Sequence, residues 1–113
     1  MHRMTHVSWR GVEHERPFEW LRALRESASG YTELLRESGD PIVAAYRVAS
    51  ARCRASEMST AVPTLREVHA AARELLGLAG KRNDTSMSIA RIRSDCEKAG
   101  LLVIGSGQPQ FAA

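Results

Sequence analysis

Residues 89–111 read IARIRSDCEKAGLLVIGSGQPQF, and how this stretch folds decides how the rest of the chain is arranged around it. At about 100° per residue, Ile89, Ile92, Cys96 and Ala99 fall within a sector of about 80°, the width of one buried helix face. Met87, Arg91, Ser94 and Lys98 occupy the opposite side, with Arg93 on one flank and Ser88 on the other. The spacing predicts a helix that opens between Asp84 and Ser86 and runs to Lys98. Gly100 stands just past its end, where a backbone with positive φ is favoured. Leu101 to Ile104 is then an apolar, partly β-branched run, Gly105-Ser106-Gly107 a turn, and Gln108 to Phe111 a return strand. Pro109 cannot donate to a ladder, so that return strand reads as an edge. The expectation is a two-faced helix followed by a short C-terminal β-hairpin.

Working outward, the remainder reads as helix. Pro17 suits a first-turn position, because its missing N–H would be unpaired there in any case. Phe18, Leu21 and Leu24 recur at spacings of three, with Trp20 beside them, and Gly30 interrupts the stripe before Tyr31, Leu34 and Leu35 continue it to Gly39. Asp40-Pro41 is a second start signal, a carboxylate able to cap free N–H groups followed by a preset φ. Ile42, Ala45, Tyr46, Ala49 and Cys53 then share one helix side, and Arg47 and Arg54 are expected to face solvent. MSTAVP, residues 58–63, breaks this helix. Thr64 and Glu67 have the spacing of a capping box, and Leu65, Val68, Ala72, Leu75 and Leu76 form the stripe behind it. Gly77 closes that helix, and GLAGKRND, residues 77–84, reads as a polar loop.

Composition bounds the function. The chain has 113 residues, 43% hydrophobic and 26% charged, which suits one ordinary globular domain. The N-terminal MHRMTHVSWRGVEHERP has no uninterrupted apolar core of the kind a secretion signal needs, and no apolar stretch approaches a membrane span. A cytoplasmic protein with no membrane association is expected. Cys53 and Cys96 lie far apart, outside any C-x-x-C pair, and both fall on buried helix faces, as reduced core thiols do. Residues 1–39 carry six Arg against six acids, whereas residues 40–113 carry ten Lys or Arg against seven acids, so the whole net charge of +3 is C-terminal.

The order of PTLREVHAAARELLG (63–77), then SMSIARIRSDCEKAGLL (86–102), then a Gly-Ser-Gly ribbon tip resembles the winged helix-turn-helix domain of bacterial, plasmid and phage DNA-binding regulators. The resemblance spans about residues 41–111 and is densest in IARIRSDCEKAGLLVIGSGQPQF. It implies a mainly α fold, with a winged helix-turn-helix domain over 40–113 and an N-terminal tail and helical extension over 1–39. It also implies a sequence-specific regulator that inserts the 86–98 helix into the major groove of double-stranded DNA, where polar and cationic side chains meet base edges. Ser86, Ser88, Arg91, Arg93, Ser94 and Lys98 are the contacts expected from that helix. Lys81 and Arg82 would meet phosphates from the preceding loop, and Ser106 and Gln108 would serve at the wing.

One such module reads few base pairs, so a homodimer on a two-fold site is expected. Phe18, Trp20, Leu21, Leu24, Tyr31, Leu34 and Leu35, in a segment of zero net charge, are the expected dimer surface. The missing wing cations favour a second reading, a protein-binding adaptor or phage-type inhibitor on the same scaffold. No acid and base pair or nucleophile constellation points to an enzyme, and no cofactor is implied. Gly77 to Arg82 lacks the spacing of a phosphate loop. His2, His6 and His14 lie in a segment expected to be an unstructured tail, without the ligand set of a metal site.

Overall fold

The computed structural model describes residues 9–27, 29–56, 62–78 and 88–104. Six helices run through them: α1 (Trp9–Glu15), α2 (Pro17–Glu26), α3 (Gly30–Ser38), α4 (Pro41–Ala55), α5 (Leu65–Leu78) and α6 (Ile89–Ala99).

Several boundaries follow from side-chain chemistry within a few residues. Pro41 opens α4, and the Asp40 carboxylate accepts the Ile42 N–H at 3.0 Å. At α5 the capping box forms in both directions. The Thr64 N–H donates to Glu67 Oε1 at 2.8 Å, and the Glu67 N–H donates to Thr64 Oγ1 at 3.1 Å. Gly39 and Gly100 close α3 and α6 at φ of +80° and +74°, a region that side chains beyond glycine enter at a cost. Gly30 has a different reason. A Cβ there would lie 2.7 Å from the Leu24 carbonyl oxygen, so only glycine lets α3 start directly against the backbone of α2.

The central element is α4, which packs against all five other helices. Its buried residues are Ile42, Ala44, Ala45, Arg47, Val48, Ala49, Ala51 and Cys53, more than one side of a helix can hold. Four of them are alanines, whose small side chains let neighbouring helices approach from several directions. The single stripe expected from Ile42, Ala45, Tyr46, Ala49 and Cys53 therefore understates its burial. Around α4 a single cluster gathers Trp20, Leu24 and Leu34 from the first helices with Leu65, Val68 and Leu75 of α5, Ile92 and Cys96 of α6, and Val103. Residues from both sides of Gly39 fill the same core.

Arg47, expected at the surface, is 8% exposed. Its Nε donates to both carboxylate oxygens of Glu13, at 3.0 and 3.2 Å, and its Nη1 donates to Ser38 Oγ at 2.7 Å. Glu37 stands 3.6 Å from Nη2. One guanidinium thus ties α1 and α3 to the middle of α4. The chain over Trp9–Glu15, expected as unstructured tail, is a helix, held by the Glu13 pair and by Val12 packed against the core.

The expected fold class is corrected at the C-terminus. The mainly α class holds, but the winged helix-turn-helix with a terminal β-hairpin does not: among the described residues there is no strand and no sheet, only one parallel bridge between Thr64 and Ile104. Leu101–Ile104 is tied instead to the helical core. The Leu65 N–H donates to the Ile104 carbonyl and the Ile104 N–H to the Pro63 carbonyl, each at 2.9 Å. The Tyr46 hydroxyl donates to the Leu102 carbonyl at 2.6 Å. Val103 is buried between exposed Leu102 and Ile104. The apolar run serves as a strap across the start of α5, with its backbone groups engaged by α4 and by the residues leading into α5. The expected return arm, Gln108 to Phe111, lies outside the described residues.

Candidate nucleic-acid interface

The cationic helix of the sequence reading is α6. Ser88 is its cap, with Oγ accepting the Arg91 N–H at 3.1 Å. The same side chain expected to contact DNA therefore satisfies an orphan N–H of the helix start. Ile92 and Cys96 are buried and hold α6 against α4 and α5. Ile89 is 37% exposed and Ala99 is exposed, so the anchoring stripe is half as deep as its four apolar positions suggest. Two residues carry it.

On the outer side, Arg91, Ser94 and Lys98 follow at i, i+3 and i+7, one line along two turns. Arg91 is 59% exposed and stands 3.4 Å from Asp95 one turn on. Lys98 is exposed and Ser94 half-buried. Arg93 is half-buried on the flank, and its buried Nε has no hydrogen-bond partner among the described residues. Three cations against Asp95 and Glu97 leave α6 with one surplus positive charge. Lys81, Arg82, Ser86, Ser106 and Gln108 lie outside the described residues, which leaves Ser88, Arg91, Arg93, Ser94 and Lys98 of the expected set, all on α6 or its cap, with Ser88 and Arg93 on opposite flanks.

The thiol under this helix is an anchor. Burial, with Asp95 and Glu97 adding in the same direction, pushes Cys96 up to about 11. A thiol in that condition stays protonated and packs as a small apolar group. Burial likewise raises Cys53, helped by the Glu67 carboxylate 3.6 Å away.

The expected dimer surface is corrected. Trp20, Leu24, Tyr31 and Leu34 are buried within the chain's own core, and Leu21 and Leu35 are half-buried against it. Of the seven, Phe18 alone is well exposed, at 61%. Most of the stripe expected to meet a second copy is covered from within the chain, by α4 and α5.

A second group of cations went unnoticed in the sequence. Arg22 lies over the Phe18 ring at 5.3 Å from its centroid, and Arg25 and Arg52 both reach Glu74. Burial raises the Tyr31 phenol beside them, with Glu74 adding to the shift and Arg52 and Arg25 opposing it. The i, i+4 spacing of Phe18 and Arg22 was the available signal; the convergence of Arg52 and Glu74 on α2 had none.

No protein-family model, curated protein or solved structure matches the chain. No helix among the described residues is long and apolar enough to cross a membrane.

Proposed function

We propose that the chain is a small sequence-specific DNA-binding protein, a cytoplasmic transcriptional or mobile-element regulator without catalytic activity that places α6 in the major groove. The observation that carries this reading is the division of α6. Ile92 and Cys96 face the core, while Arg91, Ser94 and Lys98 line the opposite side. A helix held by one face and bearing cationic and hydroxyl groups on the other meets the steric and chemical requirements of major-groove reading. In the free protein Asp95 pairs with Arg91; on DNA the guanidinium would exchange that half-buried carboxylate for a base edge or phosphate. A two-fold site occupied by a dimer belongs to the proposal, because one helix reads few base pairs. The dimer contact is then a surface other than the buried α2–α3 stripe.

The test is fluorescence anisotropy with labelled duplex from the region upstream of the protein's own coding sequence, repeated with random duplex. Binding is expected to weaken steeply, by orders of magnitude, between about 50 and 200 mM salt if several phosphates are engaged. Combined Arg91→Ala and Lys98→Ala should lower affinity by about tenfold or more, with folding unchanged. Duplex binding that is indifferent to salt, or retained in the double variant, refutes the assignment of α6.

The near balance of charge on α6, three cations against two carboxylates, favours a second reading, in which α6 meets a protein. Capture of a partner protein with no salt-sensitive duplex binding would decide for it.

A further inference from the structure

A groove of about 330 Å³ lies between α2, α3 and α4, lined by Phe18, Leu21, Arg22, Arg25, Tyr31 and Arg52. Its apolar part is Phe18 at the rim, half-buried Leu21, and Tyr31 on the floor. Its charged part is three guanidiniums. Glu74 takes up two of them, hydrogen-bonded to Arg52 and 3.6 Å from Arg25. Arg25 is still 66% exposed on its side chain. Arg22 has no carboxylate partner among the described residues and rests on the Phe18 ring. Three guanidiniums against one carboxylate leave a surplus of two positive charges beside an aromatic ring that is 61% exposed.

Exposed arginines repel one another unless something acidic stands among them, and a large exposed aromatic ring beside them adds an apolar cost. Glu74, a neighbour of the groove and not one of its lining residues, shows what two of its arginines accept, a carboxylate bridging two guanidiniums. A small ligand is a poor match, since small-molecule sites bury most of their ligand and this groove is open along the Phe18 side. A chain lying across it can place one apolar side chain against Phe18, Leu21 and Tyr31 and set carboxylates on Arg22 and Arg25. Tyr, Phe and Arg are also the residue types enriched where proteins meet.

We propose that the α2–α3–α4 groove docks an acidic segment of a partner protein, one apolar side chain entering the groove between carboxylates that pair with Arg22 and Arg25. The site shares no residue with the DNA-facing side of α6, so it goes beyond the proposed function and stands or falls separately.

The experiment uses the full chain, isotope-labelled, titrated to millimolar concentration with short synthetic peptides. The first alternates Asp with Leu and Phe; the second replaces every Asp by Asn; the third is Asp throughout. The first peptide should shift the amide signals of Phe18, Leu21, Arg22 and Tyr31 and bind about tenfold tighter than either control, because charge and apolar contact are both required. Arg22→Ala and Phe18→Ala, both on exposed side chains that leave the core intact, should each weaken it by about fivefold. Combined Arg91→Ala and Lys98→Ala should leave it unchanged, which separates this site from α6. Absence of shifts with the first peptide, equal binding of the Asn or all-Asp peptide, or the same signals moving on addition of DNA duplex would each overturn the proposal, the last making the groove a phosphate patch.

Discussion

Against α4 pack two sets of helices, α1, α2 and α3 in the first and α6, which also rests on α5, in the second. The first set is held by large groups: Trp20, Leu24 and Leu34 are fully buried, and the Arg47–Glu13 ion pair is closed off from water beside them. The second set is held by Ile92 and Cys96 together with Val103 of the strap. Both sets began as amphipathic helices with similar stripes in the sequence. The difference teaches that an apolar stripe states a demand for cover without naming who supplies it. At α2 and α3 the chain itself buries Trp20, Leu24, Tyr31 and Leu34 and half-buries Leu21 and Leu35, leaving Phe18 alone well exposed, too little of the stripe to serve as the expected dimer surface. At α6 the cover is shallow, so the helix leaves most of its circumference to solvent, which is the condition for docking against something else.

Four perturbations test this contrast. The largest effect is expected from Trp20→Ala, which removes a fully buried indole and should cost about 4 kcal/mol in urea unfolding; a loss under about 1 kcal/mol would mean the α2 side is no firmer than α6. Next, Glu13→Gln leaves Arg47 buried with its carboxylate partner removed and only Glu37, at 3.6 Å, to compensate, and should cost about 3 kcal/mol. Combining it with Arg47→Met should restore much of that loss, because the uncompensated charge is then gone.

The third test is alkaline. Cys96 is raised from 9.0 to about 11 in the folded chain. The folded state therefore holds this proton more tightly than the unfolded state. Its contribution is whole below about pH 9 and is lost as pH climbs through about 11, a decline of up to about 2.7 kcal/mol. Tyr31 and Tyr46 are raised in the same direction, so Cys96→Ala should make the alkaline slope shallower without abolishing it. An unchanged slope would place the effect in Cys53 and the tyrosines. The smallest effect is expected from Ser88→Ala, about 1 kcal/mol from loss of the cap on Arg91 N–H. Hydrogen exchange should quicken in the first turn of α6 and stay unaltered in α1–α3; an equal response in both regions would show that the two sides open together.

Much of the helical layout was legible because its signals are local. Asp40-Pro41, Thr64 with Glu67, and Gly39 and Gly100 act through groups within four residues of themselves, and each does what its spacing implies. The buried stripe of α5 was legible for the same reason. Arg47 was misread because its partner Glu13 is 34 residues away, a distance that no periodicity reports. The strap was misread because an apolar run before Gly-Ser-Gly has the composition of a hairpin arm, whereas its backbone groups meet Pro63, Leu65 and Tyr46 instead. Of the expected interface, the outer face of α6 was readable from its spacing, and the shallow anchoring at Ile89 and Ala99 was not.

By itself the sequence determined most of the segments that become helices, α1 excepted, where several of them start and stop, and which residues need to leave water, because hydrogen-bond capping and hydrophobic periodicity are set within one or two turns. Only the tertiary structure decided what covers each apolar stripe, that Arg47 is an interior tie between three helices, and that Leu101–Ile104 straps α5. Those outcomes depend on partners brought together from distant parts of the chain, where burial and charge pairing are collective and no local pattern specifies the match.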